Sequence, residues 1–158
     1  MSFYYVRHIE IRFARPSDLD QLARLRHSLW PESPVEEHAR ELELILARRM
    51  PDTFPLSVLV AAADGIIVGF LEVRLRSHAD SCNESWPVGY VEGWFVAEPY
   101  RRQTIGAQLL AAAEDWARKQ GCSEMASDAE IENLVSQRVH EALGFEASAR
   151  AVSYRKKL

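Results

Sequence analysis

The stretch from Val88 to Gly121 constrains the fold more than any other part of the chain. It opens with an apolar strand-like run, Val88 to Ala97, and passes through a polar mouth, "EPYRRQT". A run of helical period then begins near Ile105. Leu109, Leu110, Ala113 and Trp116 recur at the spacing of one helix face, and Gly121 suits the position just past a helix end. The next segment, "CSEMASD", is a short strand running into a loop. A strand, a helix and a strand in succession make a crossover with two parallel strands. Upstream, "LSVLVAAA" and "IIVGFLEVRLR" flank Asp64-Gly65, the signature of a tight antiparallel hairpin.

The remaining segments complete one α+β domain over residues 1–158, a length that can bury a core without disulfides or metal. Ile9 to Ala14 alternates as a first strand. A helix opens at Pro16-Ser17 with Leu19, Leu22, Leu25 and Leu29 as its apolar stripe. Ser33 is expected to cap a second helix, with Pro34 in its first turn and Glu36 closing a capping box. Val35, Ala39, Leu42 and Leu46 would face inward, and Pro51 and Pro55 bound the exit. A fourth helix is predicted over Glu132 to Leu143, closed by Gly144, and "FEASARAVSYRKK" is expected to add one or two strands.

The formal charge of −4 and an isoelectric point near 5.7 disfavour nucleic acid, which selects a basic face, and favour cationic partners. Cys82 and Cys122 have neither disulfide-framework nor metal-ligand spacing and read as reduced thiols, and no His, Asp or Glu cluster points to a metal. The first residues lack a signal-peptide pattern, and no apolar run reaches the roughly 18 residues of a membrane span. The cytoplasm is the expected compartment.

The basic mouth has two readings. Arg101, Arg102, Gln103 and Thr104 precede Ile105, Gly106 and Ala107 at a helix start, where unpaired N–H groups and the helix dipole attract phosphate. Gly106 would let a ligand approach the backbone, and the arginines would add charge-assisted contacts. The alternative is a solvated loop. Glu92 is either an ion-pair partner or a cleft acid, expected to point the same way as Tyr90 and Trp94. Asp128 is a ligand group at a strand's carboxyl end or a helix cap. Glu36, Glu37 and Glu41 are solvated charges or the rim of a cationic mouth. Asn133, Ser136 and His140 share one helix face, opposite Val135, Val139 and Ala142.

These segments together resemble the GNAT acetyltransferase superfamily. Arg101, Thr104 and Gly106 fall on its acyl-CoA loop pattern, although Thr104 stands where the family usually has glycine. "ARPSDLDQLARL", "YVEGWFVAEPYR" and "ENLVSQRVHEALGF" match its first helix, central strand and last helix. Within the superfamily, "SLWP", "VEGWFV", "EMASD", "SQRVHEALGFE" and "SYRKK" are similar to aminoglycoside 6'-N-acetyltransferases of the small dimeric kind, while the loop Ser77 to Pro87 departs most. The resemblance implies a mixed, mostly antiparallel sheet, with its fourth and fifth strands parallel and splayed around acetyl-CoA, flanked by about four helices.

It further implies direct transfer of acetyl from acetyl-CoA to an amine of a polycationic aminoglycoside. Phe95, Val96 and the 101–107 loop would hold the coenzyme, with Asn133, Ser136 and His140 alongside. Trp30, which on its residue type alone is a core plug or a flat wall, would be the wall for a sugar ring, and Glu92 and Asp128 would hold the ammonium. His140 would contact or protonate the leaving thiolate. A homodimer is implied as well. Acetylation of another amine (polyamine, metabolite or protein) and a non-catalytic acyl-CoA-binding module remain the alternatives.

Overall fold

A computed structural model describes residues 8–49, 54–80, 82 and 87–158. Pro51, and residues 81 and 83–86 of the divergent loop, lie outside the described residues. The elements in chain order are β1 (Ile9–Phe13), α1 (Leu19–Leu29), α2 (Val35–Leu46), β2 (Leu56–Ala63) and β3 (Ile66–Arg76). There follow β4 (Val88–Val96), α3 (Ile105–Lys119), β5 (Met125–Ser127) and α4 (Leu134–Ala142). The five strands form one sheet in sequence order. The first three pairings are antiparallel and β4–β5 is parallel, as the crossover through α3 requires. Asp64 and Gly65, both at positive φ, turn the β2–β3 hairpin.

Two cores lie on opposite faces of the sheet. Leu59, Leu71, Val73 and Val91 pack under Leu109, Leu110, Ala113 and Trp116 of α3. Val58, Val60, Ile67 and Phe70 pack under Leu22 and Ala23 of α1 and Leu42 and Ile45 of α2. No helix among the described residues is long and apolar enough to cross a membrane.

Several local expectations are corrected. Pro34, not Ser33, is the N-cap of α2, and no side chain caps it. The Ser33 carbonyl instead faces His27 Nδ1 at 2.9 Å. The buried residues of α2 are His38, Leu42 and Ile45, a rotated stripe that lets His38 reach the Trp30 carbonyl at 3.0 Å. In α4 the polar and apolar residues do take opposite faces, and the apolar one is outward: Val135 is 73% and Val139 41% exposed, while His140 turns toward the sheet. Residues 146–158 form no strand and are exposed.

Candidate active site

The site is built around an irregularity in β4. Glu72 pairs with Gly93, but Val73 pairs with Val91, so Glu92 is an extra residue on the β4 side of the ladder. Such a bulge re-aims the side chains after it. Tyr90 and Glu92 face the α1/α2 side, whereas Trp94 crosses to the other face and meets His140 edge-on at 5.5 Å. Glu92 and Trp94 therefore do not share a face, contrary to the alternation expected from an unbroken strand. Gly93 is required where it stands, because a Cβ there would run into the Trp30 ring, reaching 2.7 Å from Cζ2.

Beyond the bulge, β4 loses its second neighbour. The parallel ladder ends at Val91 and Ser127, although β4 runs on to Val96. Ala97 N–H donates to the Val68 carbonyl at 2.8 Å, so by alternation the peptide groups of Val96 face away from β3. Its carbonyl accepts from Arg101 Nε at 2.8 Å. The guanidinium also lies 5.5 Å from the Phe95 ring centre. The open edge of β4 and the mouth of α3 thus adjoin.

At that mouth Arg102 and Thr104 adopt positive φ, 57° and 64°. Left-handed backbone in a non-glycine residue costs about 1–2 kcal/mol. Thr104 shows that strain; its hydroxyl donates to the Gln103 carbonyl at 2.6 Å and accepts from Gln108 Nε2 at 3.0 Å. The helix ladder begins only with Gln108 N–H on the Thr104 carbonyl. Ile105, Gly106 and Ala107 thus precede the first intrahelical bond. Gly106 rests against the Trp94 indole, 3.5 Å from where a Cβ would stand. These features fit a diphosphate, which needs clustered N–H donors and close backbone approach.

Across the splay stands α4. Asn133 caps it, its side chain accepting from Ser136 N–H at 3.0 Å. His140 Nδ1 lies 2.7 Å from the Ser136 carbonyl and Nε2 lies 2.8 Å from Ser127 Oγ. A carbonyl only accepts, so Nδ1 carries a proton, and in that tautomer Nε2 is the acceptor for the Ser127 hydroxyl. Phe145 closes the other flank of the ring at 5.2 Å.

On the α1/α2 face a cavity of about 300 Å³ is lined by Trp30, Glu41, Glu72 and Glu92, with Arg26 and Arg74 among them. Glu92 accepts from Arg76 at 3.0 and 2.8 Å, and Arg74 Nε lies 3.6 Å away. Arg76 also covers the Tyr90 ring at 3.5 Å. Burial, with the Asp128 carboxylate beside it, raises the Tyr90 phenol. Exposed Asp128 is thereby within hydrogen-bonding reach of Tyr90 and electrostatically coupled to Arg76, the residue that grips Glu92. Glu41 lines this cavity, whereas Glu36 and Glu37 are simply exposed.

Sequence reasoning overlooked Glu72, Arg26, Tyr90's partner and Ser127. Glu72 carried a signal, being the lone carboxylate in an otherwise apolar and basic strand, Ile66–Arg76. Burial raises its carboxyl to about 7, against the attraction of Arg26 and with the repulsion of Glu41 and Glu92.

The mixed sheet split between β4 and β5, with a bulge and an amide-rich helix start at the split, defines an acyl-coenzyme A-type acetyltransferase scaffold. The chain belongs to the acetyltransferase (GNAT) family, whose pattern matches residues 22–145. It is 45% identical over 142 residues to an aminoglycoside N(6')-acetyltransferase type 1 of Serratia marcescens, covering 89% of this chain and 94% of that one. The counterpart from Salmonella typhimurium is 39% identical, covering 94% and 99%. Among solved structures, AAC(6')-Iy in complex with the bisubstrate analogue CoA-S-monomethyl-acetylneamine superposes with a TM-score of 0.85 at 38% identity, covering 96% and 99%. The same enzyme in complex with CoA gives a TM-score of 0.88 at 36% identity, covering 99% and 100%.

Proposed function

We propose that the chain is an aminoglycoside 6'-N-acetyltransferase that moves acetyl from acetyl-CoA to a substrate amine by direct attack. The observation that carries this reading is the adjacency of two surfaces. The open edge of β4 and the mouth of α3 suit a coenzyme thioester, and the carboxylate-lined cavity on the other face of β4 suits a polycation. The similarity to enzymes acting on aminoglycosides supports the same substrate.

Amides at Ile105, Gly106 and Ala107, with Arg101, Arg102, Gln103 and Thr104 around them, hold the diphosphate. The backbone of Phe95 and Val96 pairs with the pantetheine arm as an added strand. Arg101 must first release the Val96 carbonyl, which frees its charge for phosphate. Val96 N–H then steadies the oxyanion that develops on the thioester carbonyl. Asn133 and Ser136 border the coenzyme from α4. Trp30 walls the sugar ring, and Glu92 and Asp128 hold the ammonium and take its proton through water, leaving a neutral amine to attack. The new C–N bond displaces the thiolate, and the second proton, which the nitrogen sheds as the amide forms, passes to the sulfur through the Ser127 hydroxyl, with His140 Nε2 accepting and returning it. Holding both reactants in one cleft supplies much of the acceleration.

A second copy of the chain completes the particle in this proposal. The outward apolar residues of α4 and the exposed tail, with Tyr154 at 92%, favour a homodimer. Sedimentation should give twice the 18.0 kDa of one chain; a monomer at micromolar concentration would overturn it. The free thiols Cys82 and Cys122 favour a reducing compartment, the cytoplasm.

Incubation with acetyl-CoA and kanamycin should yield a monoacetylated drug with the acetyl on the 6' nitrogen by NMR. Glu92→Gln and Asp128→Asn should each lower kcat/KM by about ten- to a hundredfold. Transfer only to polyamines or peptides, or coenzyme binding without transfer, would replace this reading with one of the alternatives.

A further inference from the structure

We propose that Glu72 is a substrate-recognising residue of the same site, the carboxylate that takes a second ammonium of the polycation, one that is not acetylated. The inference rests on the aminoglycoside reading above and extends it to a part of the cavity that the acetyl-transfer chemistry does not use.

Glu72 is 3% exposed yet lines the cavity. Arg26 Nε lies 3.0 Å from its Oε1, and Arg26 Nη1 lies 2.9 Å from Glu41 Oε2. Those are contacts of charge without direction, for Glu72 Oε1, Arg26 Nε and Arg26 Nη1 all lack a hydrogen bond. A buried carboxylate oxygen that faces a cation but accepts no hydrogen bond is costly unless a donor arrives. An ammonium brings three donors and a charge.

The placement fits a molecule with several amines. Glu72 on β3, Glu92 on β4 and Asp128 just after β5 follow the order of three adjacent strands. At about 4.8 Å per strand, the row spans about 10 Å. Glu92 and Asp128 stand at the splayed side, where the reacting amine must meet the thioester. Glu72 stands at the far end, beside Trp30, over whose ring Arg26 lies at 5.1 Å. A monoamine placed for acetylation would leave Glu72 with Arg26 alone and its Oε1 without a hydrogen bond, whereas an aminoglycoside would reach it.

The groups facing Glu72 are Arg26 from α1, His38 and Glu41 from α2, Arg74 from its own strand and Glu92 from β4. Crowding by two acids and burial keep the carboxyl protonated to about pH 7, and an entering cation favours its ionised form. Recognition of the second ammonium therefore strengthens as pH rises through 7.

Two acceptors separate this role from a purely structural one. Kanamycin carries several ammonium groups, and 6-amino-6-deoxyglucose carries only the reacting type. Glu72→Gln should lose about tenfold in kcat/KM on kanamycin, mainly through KM, and stay within about twofold on the aminosugar. The fall of kanamycin kcat/KM below pH 7 should be shallower in the variant than in the wild type. Equal losses on both acceptors, or no loss on either, would overturn the assignment. Should Glu72→Gln not fold, Glu72→Asp should still lower the kanamycin-to-aminosugar ratio several-fold, and an unchanged ratio overturns the assignment equally. Wild-type protein that acetylates neither acceptor would instead strike down the activity on which the inference rests.

Discussion

At the scale of the residue, Gly93 shows how one missing Cβ holds a pocket open. The bulge at Glu92 brings the Gly93 backbone under the Trp30 ring, and no larger residue fits. Gly93→Ala must push the ring toward the cavity. A drop in stability of about 1–3 kcal/mol is expected in thermal melts, with a several-fold rise in KM for the aminoglycoside. The KM for acetyl-CoA should hold, because Trp30 and the α3 mouth lie on different faces of the sheet. An equal rise in both constants would mean that the ring does not wall the amine site. Thr104 is the opposite case, a side chain kept at φ +64° where glycine would carry no strain. Its hydroxyl bonds with Gln103 and Gln108 hold a turn that its backbone disfavours.

At the scale of the element, the proposed coenzyme site has the mouth of α3 change partners. Arg101 spends its Nε on the Val96 carbonyl while its tip is exposed to solvent. Removing it should weaken coenzyme binding by losing a phosphate contact, and the contact should be sensitive to salt. For Arg101→Ala, calorimetry is expected to show acetyl-CoA bound about tenfold more weakly at low salt, with the gap to wild type narrowing as salt is added. A constant gap would assign Arg101 to the local structure of the loop alone. Local code explains which elements were legible beforehand. Asp64-Gly65 names its hairpin, and the glycine after α3 names its end, because both depend on backbone within a few residues. The bulge has no such signature: "YVEGW" alternates like any strand, and only the pairing with β3 reveals the extra residue. The two stripes of α4 were legible as well, but not which of them meets the sheet: its apolar side chains turn outward while His140 packs between Trp94 and Phe145.

At the scale of the whole molecule, the sheet separates two chemistries and joins them at one strand. Acidic and basic side chains between β3, β4 and the first two helices form a cavity suited to ammonium groups, and the face under α3 and α4 suits a thioester arm. Glu92 and Asp128 were legible as candidates because carboxylates beside apolar strands stand out. Glu72 was legible on the same ground, as the lone carboxylate of β3, but its pairing with Arg26 of α1 was not, since a contact between distant segments leaves no spacing to read. Glu92 also differs from a free cleft acid in being held by Arg76, so a cationic substrate must compete with a guanidinium for it. The central claim is that amides opening α3 grip the diphosphate while the backbone at Val96 receives the thioester. A crystal structure of this chain with CoA and kanamycin tests it most directly. Diphosphate oxygens should lie about 3 Å from the N–H groups of residues 105–107, with the sulfur beside Val96 and the drug's 6' nitrogen between it and Glu92. A coenzyme seated away from the α3 mouth, or a drug outside the Trp30–Glu92 cavity, would contradict the account.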